Sequence, residues 1–419
     1  MKVDASSSVD SIPTPDFINH SWQPLSTASL NGGFVNLIWP DGLTFSAYGL
    51  WLAENCLGFG LDPVTRESTL DPRDLPSANA LTRCRVDPDG ALIVCFANIG
   101  GSSDEFRIHP GWLRYVALAQ LDPHASLPEQ QPWCSADFSE PPTLDAASTT
   151  DNLLCEFLSS LIRYGLARIT NTAMNDEFLP SFVAAIGPVR ASNFGSIFTV
   201  EAKENPDSTA YTGFSLGQHT DLPTRETPPG FQFLHCTHNS TTGGASRMTD
   251  GLSLIQALKT EKPLLYQSLT NDQWIFMNRA ADAEHRWVAP MIELPVAGRP
   301  MTIRAFYPVR SAPMMDRERI PLAYEAAQTF SHYAQDPRFQ ISFQFKPGDL
   351  LAFDNRRILH GRDSFAGSGE RRLRGCYVDH DEILSRLRVL NRTAFTQQES
   401  TRDQAPSWPH PPDTLPLHR

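Results

Sequence analysis

The chain has 419 residues, 41% of them apolar and 20% charged, an ordinary globular balance with room for two domains. Its net charge of −12 argues against a nucleic-acid binder, which normally presents a basic face. No run approaches the ~18 apolar residues that cross a bilayer, and the start, MKVDASSSVDS, lacks the apolar core of a secretory signal, so a cytoplasmic protein is expected.

Seven cysteines are scattered without a CxxC pair, which favours reduced thiols over a disulfide framework or a cysteine zinc cage. In chain order, residues 1–20 are rich in Ser, Pro and Asp and read as a loose N-terminus. FVNLIW, LTFSAYGLWLA and ALIVCFAN are strand-like, with turns at Asp41-Gly42 and Asp89-Gly90, and define a small β-rich domain over 21–122. The Pro- and Ser-rich stretch 123–148 reads as a linker. Apolar spacing at Leu154, Phe157, Leu158 and Leu161 predicts a helix over Asp151–Tyr164, and GLARIT a buried strand. A second helix is predicted over Ile320–Gln335. The rest of 165–378 reads as short strands broken by Gly and Pro, ISFQF and DLLAF being the clearest. That pattern is mainly β with flanking helices, a jelly roll over 149–396. No glycine-rich nucleotide loop is present, and the tail 397–419 is Pro-rich.

GFSLGQHTDLP sets His219 two residues before Asp221. On an extended strand such residues share a face, so an imidazole and a carboxylate can meet one ion. His360, at the end of the apolar run LLAFDNRRILH, would complete a two-His, one-carboxylate triad, which leaves open positions on iron(II). HxD also arises by chance, and His235, His238 and His285 are competing imidazoles. Downstream, Arg371 in GERRLRGCY can pair bidentately with the far carboxylate of a co-substrate that chelates iron through a 2-oxo acid. The alternative is a solvated basic cluster with Arg372 and Arg374.

AYTGFSLGQHTDLPTRETPPGFQFLHC, TTGGASRMTDG, FKPGDLLAFDNRRILHGRDSF and RLRGCYVDHDEILSRLRVL resemble the γ-butyrobetaine and trimethyllysine dioxygenase branch of the TauD-type 2-oxoglutarate oxygenases. The resemblance implies a double-stranded β-helix, with His219, Asp221 and His360 holding Fe(II) and acting as the catalytic centre. It implies that Arg371 binds 2-oxoglutarate with Ser246 close by, that dioxygen is consumed, and that ascorbate serves as reductant. GLWLAENC and HPGWLR resemble the family's N-terminal domain. Cys56 stands where one zinc ligand is expected, but Gly58 and Leu61 replace the next two and FANIGGSSD holds no histidine, so no structural zinc is expected.

The family's aromatic cage for a quaternary ammonium maps to Phe194, Phe198, Tyr211, Leu222 and Tyr377, where Leu222 interrupts the rings. TIRAFYP replaces an asparagine-bearing strand, and Arg304 within it is either a candidate partner for a substrate carboxylate or a surface residue. Ile341 and Phe343 share a strand face that is either a pocket wall or core. The expected activity is oxidation of an unactivated C–H bond of a small amino-acid-like or betaine-like molecule. Similar sequences among fungal secondary-metabolism oxygenases keep desaturation or ring closure, such as aziridine formation, as the alternative. A non-catalytic jelly-roll binding protein and a metal hydrolase or isomerase on the same fold are different classes; the intact triad with Arg371 argues against the first, and the second would not need Arg371. No nucleic-acid or membrane partner is expected, and a homodimer is left open.

Overall fold

The computed structural model describes residues 20–56, 59–62, 67–71, 73, 80–97, 105–148, 152–201, 213–280, 282–296, 301–366 and 369–399. The chain divides into two compact units, residues 1–126 with 392–419, and residues 127–391. Among the described residues no helix is long and apolar enough to cross a membrane.

The first unit holds two three-stranded antiparallel sheets, Thr27–Asn31, Phe34–Ile38 and Thr44–Tyr48, then Leu81–Val86, Leu92–Phe96 and Glu105–Ile108. Gly42 and Gly90 take positive φ in two of the tight turns, as their Asp-Gly sequences anticipate. Only the first half of LTFSAYGLWLA is a strand. Gly49–Glu54 is a helix that buries Gly49, Leu52 and Ala53, the i, i+3, i+4 spacing of one helical face. Cys56 is buried and its thiol donates to the Leu52 carbonyl, and Leu61 is buried among apolar side chains. Gly58 and residues 98–104, on which the zinc expectation also turned, lie outside the described residues.

The second unit is a jelly roll of two facing sheets. Its strands are β1 (Thr143–Asp145), β2 (Leu166–Thr170), β3 (Phe198–Val200), β4 (Leu216–His219), β5 (Phe231–Asn239), β6 (Ser246–Asp250), β7 (Gln340–Phe343), β8 (Leu350–Asp354), β9 (Ile358–Arg362) and β10 (Arg371–Val378). The larger sheet runs β3-β10-β5-β8-β2-β1 and the smaller β4-β9-β6-β7. Alternation sorts each strand between two environments. From β8, Leu350 and Ala352 pack outward, on the helices Leu153–Tyr164 and His380–Glu399. Leu351 and Phe353 turn inward to Met248, Ile341, Phe343 and Phe345 between the sheets. The helix predicted from Asp151 begins at Leu153 and stops at Gly165, whose φ is +75°, an end that suits a residue without Cβ. The stretch read as a linker contains β1, paired in parallel with β2, and the buried Trp133.

Two helices interrupt what reads as a run of strands, Gly251–Glu261 and Pro263–Asn271. Asp250 caps the first, its carboxylate accepting from the Leu252 and Ser253 amides, and Pro263 opens the second. With Ile320–Ala334 they cover the outer face of the smaller sheet, where Leu359 meets them.

Asp250 also accepts from Arg357 Nε at 2.8 Å, both side chains being 2% exposed or less, and from the Trp133 amide. Arg357 further donates to the Arg163 and Gln131 carbonyls. Stranding one charge of such a pair typically costs about 3–5 kcal/mol. Arg357→Met should therefore lose stability of about that size in urea unfolding followed by circular dichroism, and an unchanged midpoint would show the pair to be dispensable.

Candidate metal and co-substrate site

β4 and β9 are antiparallel neighbours with His219 opposite His360, and β6 places Met248 on the other side of His360. The two imidazoles thus sit side by side, ring centroids 4.2 Å apart. His360 stands at the centre of its own short strand, not at the end of the apolar run before it, because Asn355–Arg357 turn the chain between β8 and β9.

Asp221 does not lie on a strand with His219. β4 ends at His219, and the chain turns through Leu222, whose φ is +51°, a conformation that costs a branched side chain of order 1–3 kcal/mol and clusters at functional sites. Contacts from other segments hold the turn. The Asp221 amide donates to Asn355 Oδ1 at 2.6 Å, and Asn355 Nδ2 donates back to the Asp221 carbonyl at 3.1 Å. Thr220 bonds Ile303 and Ala305 through backbone and hydroxyl.

His219, Asp221 and His360 each offer an atom within 4.8 Å of the others, and among the described residues they are the one such grouping of three or more His, Cys, Asp or Glu. Asp221 Oδ1 is 3.3 Å from His219 Nε2 and 3.7 Å from His360 Nε2. His219 Nδ1 donates to the Gly217 carbonyl at 2.9 Å, which fixes the tautomer and leaves the Nε2 lone pair free. Burial and the neighbouring His219 push His360 down to about 3, so the ring is neutral and able to ligate. Burial alone pushes the Asp221 carboxyl up. His360, His219 and the Tyr377 hydroxyl outweigh it and hold the group well below the usual carboxylate range. Two imidazoles and one carboxylate facing a common point can hold a divalent transition-metal ion.

The facing strand β10 points Arg371, Leu373 and Tyr377 inward, all buried. Arg372 and Arg374 point outward to Asp176, so the three arginines do not form one solvated cluster. Arg371 Nε is buried and has no hydrogen-bond partner among the described residues. Its guanidinium lies 5.9 Å from the Phe345 ring, and burial with the adjacent Arg362 pushes it down to about 10. A buried cation with an unmet donor suits a carboxylate guest. Ser246 is buried opposite Arg362 and Phe343.

The remaining expected residues divide. Phe194, Phe198 and Tyr377 form a chain of rings, with centroids 5.9 and 5.3 Å apart. Tyr211 lies outside the described residues. Ile341 and Phe343 are buried between the sheets, packed on Met248 and Phe345. Arg304 is committed elsewhere: it is fully buried, pairs with Glu293, and donates to the carbonyls of Pro223, Arg225 and Glu226. A guanidinium so engaged has no donors left for a substrate carboxylate, which corrects that expectation. His235 is buried on the outer face against Thr172, and His238 is exposed. A cavity of about 340 Å³ adjoins His219, with Leu216, Gln218, Phe306, Tyr307 and Gln335 in its wall.

Sequence reasoning missed Asn355, Arg362 and Phe353, whose ring centroid is 4.6 Å from that of His360. The signal for Arg362 was present, since it follows His360 by two residues on one strand face. Asn355 carried none, because its role depends on a turn formed far away in sequence.

The family described as taurine catabolism dioxygenase TauD, TfdA matches residues 130–377. The chain belongs to the TauD/TfdA dioxygenase family. It is 37% identical over 376 residues to the γ-butyrobetaine dioxygenase of Pseudomonas sp., covering 88% of this chain and 97% of that protein. It is 31% identical to the human γ-butyrobetaine dioxygenase over 66% of this chain and 73% of that one. The trimethyllysine dioxygenase of Meyerozyma guilliermondii is 24% identical over 87% and 95%. Of solved structures, PvcB of Pseudomonas aeruginosa aligns at 18% identity with a TM-score of 0.46, over 59% of this chain and 90% of that one. The chain is thus an enzyme, a 2-oxoglutarate-dependent dioxygenase.

Removing the Asn355 amide should loosen Asp221. Asn355→Ala is expected to weaken Mn(II) binding by about 10–100-fold, as loss of an outer partner of a metal ligand typically does. Calorimetric titration checks this, and an unaltered affinity would mean the turn holds itself.

Proposed function

We propose that the protein oxidises an unactivated C–H bond of a small betaine-like or amino-acid-like molecule, with Fe(II) held by His219, Asp221 and His360. Arg371, aided by Ser246, binds the distal carboxylate of 2-oxoglutarate. The observation that carries this reading is the pairing of the three-residue cluster with a buried arginine on the facing strand whose Nε has no partner among the described residues. When bound, iron with 2-oxoglutarate and dioxygen supplies the oxidant, and the co-substrate leaves as succinate and carbon dioxide.

The chain's own contribution is position and exclusion of water. His360 and Arg362 are two residues apart on one strand face, roughly 6–7 Å, and Arg371 on the facing strand is close enough to Arg362 to feel its charge, which supports a guanidinium one short diacid's length from the metal ligands. Phe345, Phe343 and Leu373 close the interior behind it. Phe194, Phe198 and Tyr377 offer ring faces that attract a quaternary ammonium or an apolar group, and the relatives named for γ-butyrobetaine and trimethyllysine support a cationic substrate. Desaturation or ring closure by the same site remains the alternative outcome. No structural zinc is proposed for the N-terminal unit, on the loss of its ligand pattern after Cys56.

Two results test the reading. Purified protein with Fe(II), ascorbate and 2-oxoglutarate should release succinate, and His219→Ala, Asp221→Ala or His360→Ala should each abolish the release while circular dichroism stays that of the parent. Normal release from all three variants would remove the triad from the reaction. Arg371→Ala should raise the 2-oxoglutarate requirement steeply, since losing one partner of a buried charge pair costs about 2–5 kcal/mol. An unchanged requirement would assign the carboxylate to Arg362.

A further inference from the structure

The two oxygens of the Asp221 carboxylate have different surroundings. Oδ1 faces the imidazole nitrogens at 3.3 and 3.7 Å. Oδ2 accepts a hydrogen bond from the Tyr377 hydroxyl at 2.7 Å. Tyr377 is 2% exposed, and its ring lies 5.3 Å from that of Phe198. Phe198 in turn presses on Gly375, where an added Cβ would sit 2.5 Å from the ring. The phenol is therefore held by its strand, by a neighbouring ring and by the lack of a side chain beneath that ring.

We propose that Tyr377 is a positioning residue that restricts Asp221 to one ligating oxygen. The proposal rests on the reading of His219, Asp221 and His360 as the metal ligands. Carboxylates bind cations through one oxygen or two. A triad that serves an oxygenase has to leave three adjacent positions open, and a carboxylate that chelates through both oxygens takes one of them. A hydroxyl donating to Oδ2 draws electron density from that oxygen and holds it turned away from the imidazoles, which disfavours its ligation, and an O–H···O⁻ bond is roughly twice as strong as a neutral one. The ring of Tyr377, next to Phe198, is the part proposed above to face the substrate. The two roles belong to different atoms, and Tyr377→Phe separates them by removing the hydroxyl alone.

The test compares Tyr377→Phe with the parent, loaded anaerobically with Co(II), whose visible absorption falls as coordination number rises. The variant should bind one Co(II) at least as tightly as the parent, with weaker absorption. With Fe(II) and no added substrate, its succinate release should fall by about tenfold or more, while anaerobic 2-oxoglutarate binding stays within about threefold of the parent. Gly375→Ala, which drives Phe198 onto Tyr377, should shift the absorption the same way and serves if Tyr377→Phe does not fold. The parent's spectrum and release rate in the variant would overturn the proposal. So would a lowered melting temperature with an unaltered spectrum, which marks a purely structural hydroxyl. If the parent itself binds no Co(II), or His360→Ala binds it equally well, the triad reading fails and this proposal falls with it.

Discussion

The Asp221 carboxylate carries a negative charge into a place where only a fifth of its side chain meets solvent, and most of the second unit can be read as what makes that tolerable. Two imidazoles face one oxygen, a phenol donates to the other, and an asparagine amide holds the backbone on both sides of the residue. A charge placed this way costs several kcal/mol unless it is paired and hydrogen-bonded. The strained Leu222 is the conformational cost of turning the carboxylate back toward His219 after the strand has ended.

The jelly roll makes this arrangement by register. One pairing sets His219 against His360, and the next sets His360 against Met248. Across the interior, the alternation of β10 turns Arg371 and Tyr377 to the same side while sending Arg372 and Arg374 out to Asp176. A one-residue slip of β10 would exchange these sets, placing two arginines inside and removing the phenol from Asp221. Register, enforced by Leu373 inside and Cys376 and Val378 outside, thus links packing directly to the site.

Much of this was legible in the sequence wherever a local pattern stood for a local structure. The strands around Leu166, Ile341 and Leu351 and the helices ending at Tyr164 and Ala334 follow from apolar spacing. His219, Asp221, His360 and Arg371 stand out because their residue types and order match the chemistry of one family. The geometry that unites Asp221 with His219 was misread as strand alternation, since nothing local marks where β4 stops. Arg304 was assigned to a substrate because a buried arginine with five protein acceptors looks, in sequence, like any arginine. The helices over Gly251–Asn271 were missed although Asp250 and Pro263 stand at their starts, because an apolar run after short strands reads as another strand. Asn355 and the hydroxyl of Tyr377 act through contacts between segments more than a hundred residues apart, and no periodicity records those.

The central claim is that one small dianion is anchored at both ends inside the roll, by a metal at Asp221 and by a guanidinium on β10. Diffraction from crystals grown anaerobically with Mn(II) and N-oxalylglycine, a non-reacting analogue of 2-oxoglutarate, tests it most directly. The account predicts one anomalous peak bonded to His219, Asp221 and His360, with the far carboxylate of the analogue paired to Arg371. A metal elsewhere, or an analogue whose far carboxylate lies away from Arg371, would contradict it.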